Sequence, residues 1–286
     1  MLSNKQIRQK AAFSIFTLIS LMVIAVLFVI LGFIITKGIS VISWEFLTTA
    51  PKEGMTEGGI FPAIVGTFCL VIGSILFAFP IGICSAIYMN EYMRENSLKS
   101  FIRMMTNNLA GIPSIVFGLF GMALFVNELK FGDSILAGSL TLGLLTLPVI
   151  IRTTEEALKS VEDNLRIGSY AMGATKLQTI RRVILPVAFP NIMTGLILSV
   201  SRVSGETAPI LFTVAAYFLP KLPHSIFDQV MALPYHLYVI TTSGTNVEAS
   251  RPIAYGTALV LITLVLLANL LAGGIRSYYN KKYKIN

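Results

Sequence analysis

Ser201-Arg202-Val203-Ser204-Gly205-Glu206-Thr207-Ala208-Pro209 puts a guanidinium and a carboxylate inside an apolar run long enough to cross a bilayer. Val183 to Ser201 carries no charge and Thr207 to Pro220 carries none, so Arg202 and Glu206 interrupt one long span. Ionisable side chains at membrane depth are expensive, and they face a bundle interior or a water-filled path. Four residues apart on a helix, the two share a face and lie within pairing reach. The stretch predicts either a transport pathway for an anion or a static ion pair that locks this helix to a neighbour.

Composition agrees with a membrane setting. The 286 residues are 55% hydrophobic and only 13% charged, too little polar surface for a soluble globule of this size. The formal charge of +8 is scattered among short segments between apolar runs and forms no single patch, so topology explains it and a nucleic-acid partner is not expected. Cys69 and Cys84 fall in one apolar run, roughly 20 Å apart on a helix at about 1.5 Å per residue, and cannot bridge each other there. With two cysteines and two histidines, no metal site is expected.

Apolar runs predict six spans, near 11–36, 60–89, 106–127, 134–152, 187–215 and 253–275. The first is too long for a signal-peptide core and lacks a small-residue cleavage pattern, so it reads as a retained helix. With the N-terminus (1–10) inside, sixteen of the 22 Lys and Arg residues fall on the inner side and five outside, with Arg202 buried. That bias places both termini in the cytoplasm, including a basic tail over 277–286. The loop Ser43–Gly59, with Trp44 and Phe46 ahead of Pro51, Gly54, Gly58 and Gly59, reads as an interfacial anchor followed by a solvated turn-rich segment. An external segment over 216–251 holds Pro220, Pro223 and Pro234 with Ile226, Phe227, Val230, Met231 and Leu233 between or beside them. It reads as a short amphipathic helix lying on or dipping into the outer face, with His224 and His236 at the surface or the interface.

The longest inner connection, 153–186, is where soluble partners have room to dock. Val161, Leu165, Gly168 and Met172 recur at helical steps and predict one apolar face, with Glu162, Asp163, Asn164 and Arg166 elsewhere. Asp163 or Asn164 is placed to cap the start, and Gly173 to end the helix in a left-handed conformation. Such a helix either lies on the membrane surface or plugs into a groove of another protein. Glu155 and Glu156, beside Arg152, read as a solvated charge cluster. Gly111, Pro113 and Gly118 predict tight packing or a kink. No nucleophile–base set is present, so the chain is not expected to be an enzyme.

Several of these stretches resemble a known family. Gly173-Ala174-Thr175 followed by Val183-Ile184-Leu185-Pro186 is similar to the cytoplasmic signature of ABC-importer permeases, E-A-A-x3-G-x9-I-x-L-P, with Val183 at the isoleucine position. Pro80-Ile81-Gly82, Ala86 to Tyr92, Ala110 to Gly118 and Leu147 to Leu158 resemble phosphate-importer permeases. Arg202 to Pro209 with Leu211-Phe212-Thr213 resembles the PstA-type subunit specifically. The signature's glutamate falls on Ile167 and its two alanines on Gly168 and Ser169, so the family's salt bridge is lost there, and Glu162, Asp163 or Arg166 is left to supply a substitute contact.

The resemblance implies an all-α membrane protein of the type I ABC importer permease fold, with a cytoplasmic coupling helix that contacts an ATPase through Val161, Glu162, Asp163, Leu165, Arg166, Ile167, Gly168, Met172, Gly173 and Ala174. It implies a second related permease subunit forming a heterodimer, two ATPase subunits and an external phosphate-binding protein, besides membrane lipid. No Walker A pattern occurs in this chain, so ATP and Mg belong on the partner ATPase and no cofactor is expected here. Bringing an anion into a negative cell is uphill by about 2.3 kcal/mol per charge per 100 mV, which such a partner would supply. Arg202 suits phosphate because its planar fork gives parallel hydrogen bonds and stays protonated; Glu206 would neutralise it when the path is empty. The competing readings are a permease for sulfate, molybdate or another oxyanion, and a secondary anion transporter or channel.

Overall fold

The computed structural model describes residues 4–244 and 246–282. Lys284, with the rest of the last four residues of the basic tail, and the first three residues of the N-terminus lie outside the described residues. Twelve helices order the described chain: α1 (Asn4–Gly38), α2 (Trp44–Thr48), α3 (Phe61–Ile87), α4 (Ser97–Ala110), α5 (Ser114–Gly121), α6 (Ile135–Lys159), α7 (Asp163–Ala171), α8 (Lys176–Thr179), α9 (Leu185–Gly205), α10 (Ala208–Leu211), α11 (Leu233–Thr242) and α12 (Val247–Lys282). Wider π turns extend α3 through Tyr88–Tyr92 and α5 through Met122–Glu128, and another, Ile180–Ile184, joins α8 to α9. One short hairpin pairs β1 (Pro51–Lys52) with β2 (Glu57–Gly58).

Five helices among the described residues are long and apolar enough to cross a membrane. The sixth expected span, 106–127, is not one rod: α4 and α5 meet at a bend of 98°. The cause is legible at Gly111-Ile112-Pro113, where Pro113 has no N–H to continue the ladder and pushes Ile112 out of the helical region. The expected kink is there, and at this size the two helices do not form one straight span.

The centre of the bundle is α3 against α6, with α9 packed on α6 and α12 on α9. α1 stays at the edge, joined to α12 by contacts such as the edge-to-face pair Phe33–Tyr255 at 5.5 Å. One core cluster runs from Phe46, Met55 and Ile60 through Leu70, Leu142 and Ile210 to Met231 and Ile240. A second gathers Ala86, Met89, Leu158, Val161, Ile180 and Ile184 at the opposite end of the bundle. The 43–59 loop is therefore more than a solvated anchor: Trp44 is exposed, but Phe46 and Met55 are buried.

The proline-rich segment differs most from expectation. Residues 216–232 form no helix, because their backbone groups are engaged elsewhere. The carbonyls of Asp228 and Ile226 accept the N–H groups of Ile135 and Leu136 (both 2.9 Å), which closes the N-terminus of α6, and Ala216 donates to Val230 (3.0 Å). The Asp228 carboxylate accepts the N–H groups of His224 (2.8 Å) and Ser225 (2.9 Å), which hold its pKa below the usual range. The helix that does form, α11, starts only at Leu233, with Pro234 in its first turn. It is buried, not superficial: the Leu233 N–H donates to Thr67 Oγ1 of α3 (2.9 Å), and His236 is 2% exposed. Gly66 permits this approach, since a Cβ there would run into the Met231 carbonyl oxygen.

Candidate functional site

α9 carries Arg202 in its last turn and ends at Gly205; Glu206 is extended (φ −74°, ψ 131°). The expected continuous span 187–215 is thus interrupted at the charged pair. Pro209 explains the stop: in a continued helix its ring would meet the carbonyl of Gly205, and it has no N–H to donate. The chain turns through α10, and Thr213 ties the elbow to the start of α6, its carbonyl accepting the Ser134 N–H at 3.0 Å. The pair itself forms, Arg202 Nε donating to Glu206 Oε1 at 3.2 Å, although only Arg202 is helical. Among the described residues this is the only hydrogen bond found for Arg202, so both terminal nitrogens of its fork are unengaged.

The two charges sit in different surroundings. The Arg202 side chain is 36% exposed and that of Glu206 16%. Glu206 borders a small cleft of only about 10 Å³ between Thr67, Leu70, Leu142, Val203, Ile210, Ala232 and Pro234. That volume admits at most one water, so this chain encloses no anion chamber around Glu206, and the open side of the pair is the guanidinium. The helix is steadied next to it, where the Ser201 hydroxyl donates to Asn269 Oδ1 of α12 at 2.7 Å. Asn269 lies in an apolar stretch with no neighbouring charge, so no pattern in the sequence marks it.

The segment between α6 and α9 is built on a different plan from the expected single apolar face. Val161 is 4% exposed and packs in the second core cluster, with Leu165 against it. Met172, by contrast, is 88% exposed, and Gly168 has open space where a Cβ would stand. The apolar spacing runs past both ends of the helix: α7 starts at Asp163, after a Glu162 that caps without a side-chain bond, and Met172 is already non-helical. Neither Asp163 nor Asn164 is the cap. Gly173 does take the left-handed conformation, at φ 78°. A capping box of Thr175 and Gln178 then starts α8. The outward surface comprises Ile167, Tyr170, Met172 and Leu177, with Glu162 and Asp163 alongside, while Ala174 is half-buried.

Arg166, a candidate for a partner contact, is occupied within the chain. Its Nη1 donates to the Val161 carbonyl (2.6 Å) and to Asp163 (3.1 Å), and its Nη2 to the Leu158 carbonyl (2.8 Å) and to Glu91 (3.1 Å). Glu155 likewise leaves the solvated cluster in which it was placed. It is 7% exposed and accepts Arg103 of α4 at 2.7 Å and Lys159 at 3.0 Å, whereas Arg152 and Glu156 form an exposed pair. No local pattern marks Glu91 or Arg103, because their partners are 75 and 52 residues away.

Residues 78–285 match the family of binding-protein-dependent transport system inner membrane components. The chain belongs to this family. The permease is 34% identical to the probable ABC transporter permease protein YqgI of Bacillus subtilis, over 99% of this chain and 100% of that one. It is 36% identical to the phosphate transport system permease protein PstA of Mycobacterium leprae, over 96% of this chain and 90% of that one. A bacterial alginate ABC transporter, solved with its pentasaccharide-bound periplasmic protein, has the same fold at a TM-score of 0.70 and 15% identity, covering 98% of each chain. The permease is thus a multi-pass protein of the prokaryotic plasma membrane with the ABC-importer permease fold, and it is a transport component, not a catalyst.

In the permease, one helical run from Lys176 to Gly205 joins the two candidate regions. From Arg182 to Arg202 it rises about 30 Å, the thickness of a bilayer's hydrocarbon core. Arg202 therefore stands one bilayer thickness from the α7–α8 end of the bundle, and the described side chains bring no other charge within salt-bridge distance of the pair.

Proposed function

We propose that this chain conducts phosphate as one half of an ABC importer's translocation unit, with Arg202 as the contact that lowers the barrier for the anion. The observation that carries the reading is the unengaged fork of Arg202: one nitrogen rests on Glu206, and the two that match a phosphate's oxygens have no partner among the described residues, on a side chain that is 36% exposed. Relatives whose names specify phosphate favour that anion over sulfate or molybdate. Glu206 holds the guanidinium when the path is empty, and phosphate displaces it in passing. Entry is favourable and exit stays possible, the condition for conduction.

A path open on one side of this chain needs a second wall, which fits a second, related permease across the Arg202 face. The apolar surface of Ile167, Tyr170, Met172 and Leu177, at the opposite end, suits one of two ATPase subunits, which would hold ATP and Mg; this chain would bind no cofactor. An external phosphate-binding protein would deliver the anion at the Arg202 end, with both termini of the chain in the cytoplasm. Arg202→Gln in the assembled complex, reconstituted with its binding protein, tests the reading. Losing charge-assisted hydrogen bonds lowers phosphate uptake by about 10- to 100-fold, with complex assembly unchanged. Near-normal uptake would leave the pair a structural lock only.

A further inference from the structure

The helices joined directly to the α7–α8 segment are α6 and α9, but a third helix is fastened to it without being adjacent in sequence. The end of α3 relaxes into the π turn Tyr88–Tyr92, whose wide geometry presents successive side chains toward the segment. Glu91, with a side chain 6% exposed, accepts Arg166 Nη2 at 3.1 Å and the Asn90 side-chain amide at 2.8 Å through the same oxygen. One residue on, the Tyr92 ring lies under Lys176 Nζ of α8 at 4.8 Å and stacks on Tyr88. One contact reaches α7 and the other α8, and Ser169 and Thr179 close the gap between those helices at 2.9 Å. Because Arg166 also holds the carbonyls of Leu158 and Val161, its guanidinium joins the end of α6, the start of α7 and the end of α3 in one knot.

The far end of α3 is what gives this fastening a consequence. Thr67 and Leu70 of α3 border the small cleft beside Glu206, and Thr67 holds the start of α11. Tyr92 and Thr67 are 25 residues apart, about 37 Å along the helix. The pair is therefore reached from the α7–α8 end by two rods: α9, which bears Arg202, and α3, which walls in Glu206.

We infer that Glu91 and Tyr92 are positioning residues through which movement of the α7–α8 segment enters α3, so that the wall beside Glu206 moves together with the helix that carries Arg202. The inference rests on the permease reading above, in which that segment receives the ATPase stroke. Without the knot, a push on α7 would reach α3 only through its side-to-side packing on α6 and α9, and the wall beside Glu206 would follow the ATPase less closely.

The test is the number of phosphates taken up per ATP hydrolysed by the full complex in vesicles with its binding protein. Glu91→Gln is expected to lower that ratio by about fivefold or more, the scale of coupling-network substitutions, while hydrolysis continues. Lys176→Met is expected to lower it by about two- to fivefold, the scale of a cation–π contact, and Lys176→Arg to restore it. Should Glu91→Gln impair assembly, the exposed Lys176 carries the test alone. A wild-type ratio in the variants, or uptake and hydrolysis falling in parallel, overturns the inference. Failure of the permease reading shows up separately, as a wild-type complex without binding-protein-dependent uptake.

Discussion

Buried His236 makes the permease sensitive to acid below about pH 6.5. It is 2% exposed, neither ring nitrogen has a partner among the described residues, and burial lowers its pKa from 6.5 to about 4. The folded state keeps the ring neutral; the unfolded chain protonates it near 6.5. The folded pKa is the lower one, so stability is whole above about pH 6.5 and falls as the pH drops towards 4, where the unfolded chain binds a proton the folded one refuses. Linkage gives a loss of about 2 kcal/mol at pH 5 and about 3 kcal/mol at pH 4. At roughly 2–4 °C per kcal/mol for a chain of this size, the melting temperature at pH 5 falls by about 4–8 °C from this group. His236→Leu removes the titration and two unpartnered polar atoms, so the variant is at least as stable at pH 7.5. The quantity to measure is the difference between wild-type and variant melting temperatures of the detergent-solubilised protein, from pH 7.5 to pH 5, since every other acid titrates in both. Parallel curves would refute the reasoning, showing that the ring reaches water or a hydrogen-bond partner.

Two other perturbations probe the joints that hold the bundle. Glu155→Gln leaves Arg103, whose side chain is 28% exposed, with only the exposed Glu95 at 3.4 Å as a carboxylate partner. Fully buried pairs cost about 3–5 kcal/mol when broken and exposed ones at most about 1, so this intermediate case should cost about 1–3 kcal/mol in thermal unfolding. The double variant Arg103→Met/Glu155→Met should recover part of it; if both variants melt like wild type, α4 is not anchored there. Gly66→Ala drives a methyl group into the Met231 carbonyl, a backbone atom that cannot rotate away. It should cost about 1–3 kcal/mol and loosen α11, read as faster hydrogen exchange at Leu233, and unchanged exchange would mean that the segment does not rest on α3.

Much of the fold is one-dimensional information. Apolar run length, charge placement and the breakers Gly111-Ile112-Pro113 are local properties, and they suffice for the helices, their membrane-crossing character and the kink. The stop after Gly205 is also local, since Pro209 dictates it, yet the long apolar run obscured it. The Arg202–Glu206 pair was legible because its spacing of four survives the change from helix to extended chain at its last residue.

What composition and spacing could not decide is which polar groups find each other across the bundle. Arg166 serves the chain's own Glu91, Leu158 and Val161, because folding brings the ends of α3 and α6 together; nothing near Arg166 in sequence announces that. Residues 216–232 carry helical-looking apolar spacing, but their carbonyls are taken by the unsatisfied N–H groups at the start of α6. His236 reads as a surface residue in a proline-rich loop until α11 is seen packed on α3 and α12. The sequence alone determined a multi-pass membrane protein with a charged pair near the end of one helix. Only tertiary structure decided that the pair's open side is the guanidinium and that three helices, not two, are fastened to the α7–α8 segment, because burial and long-range pairing depend on distances that no local pattern encodes.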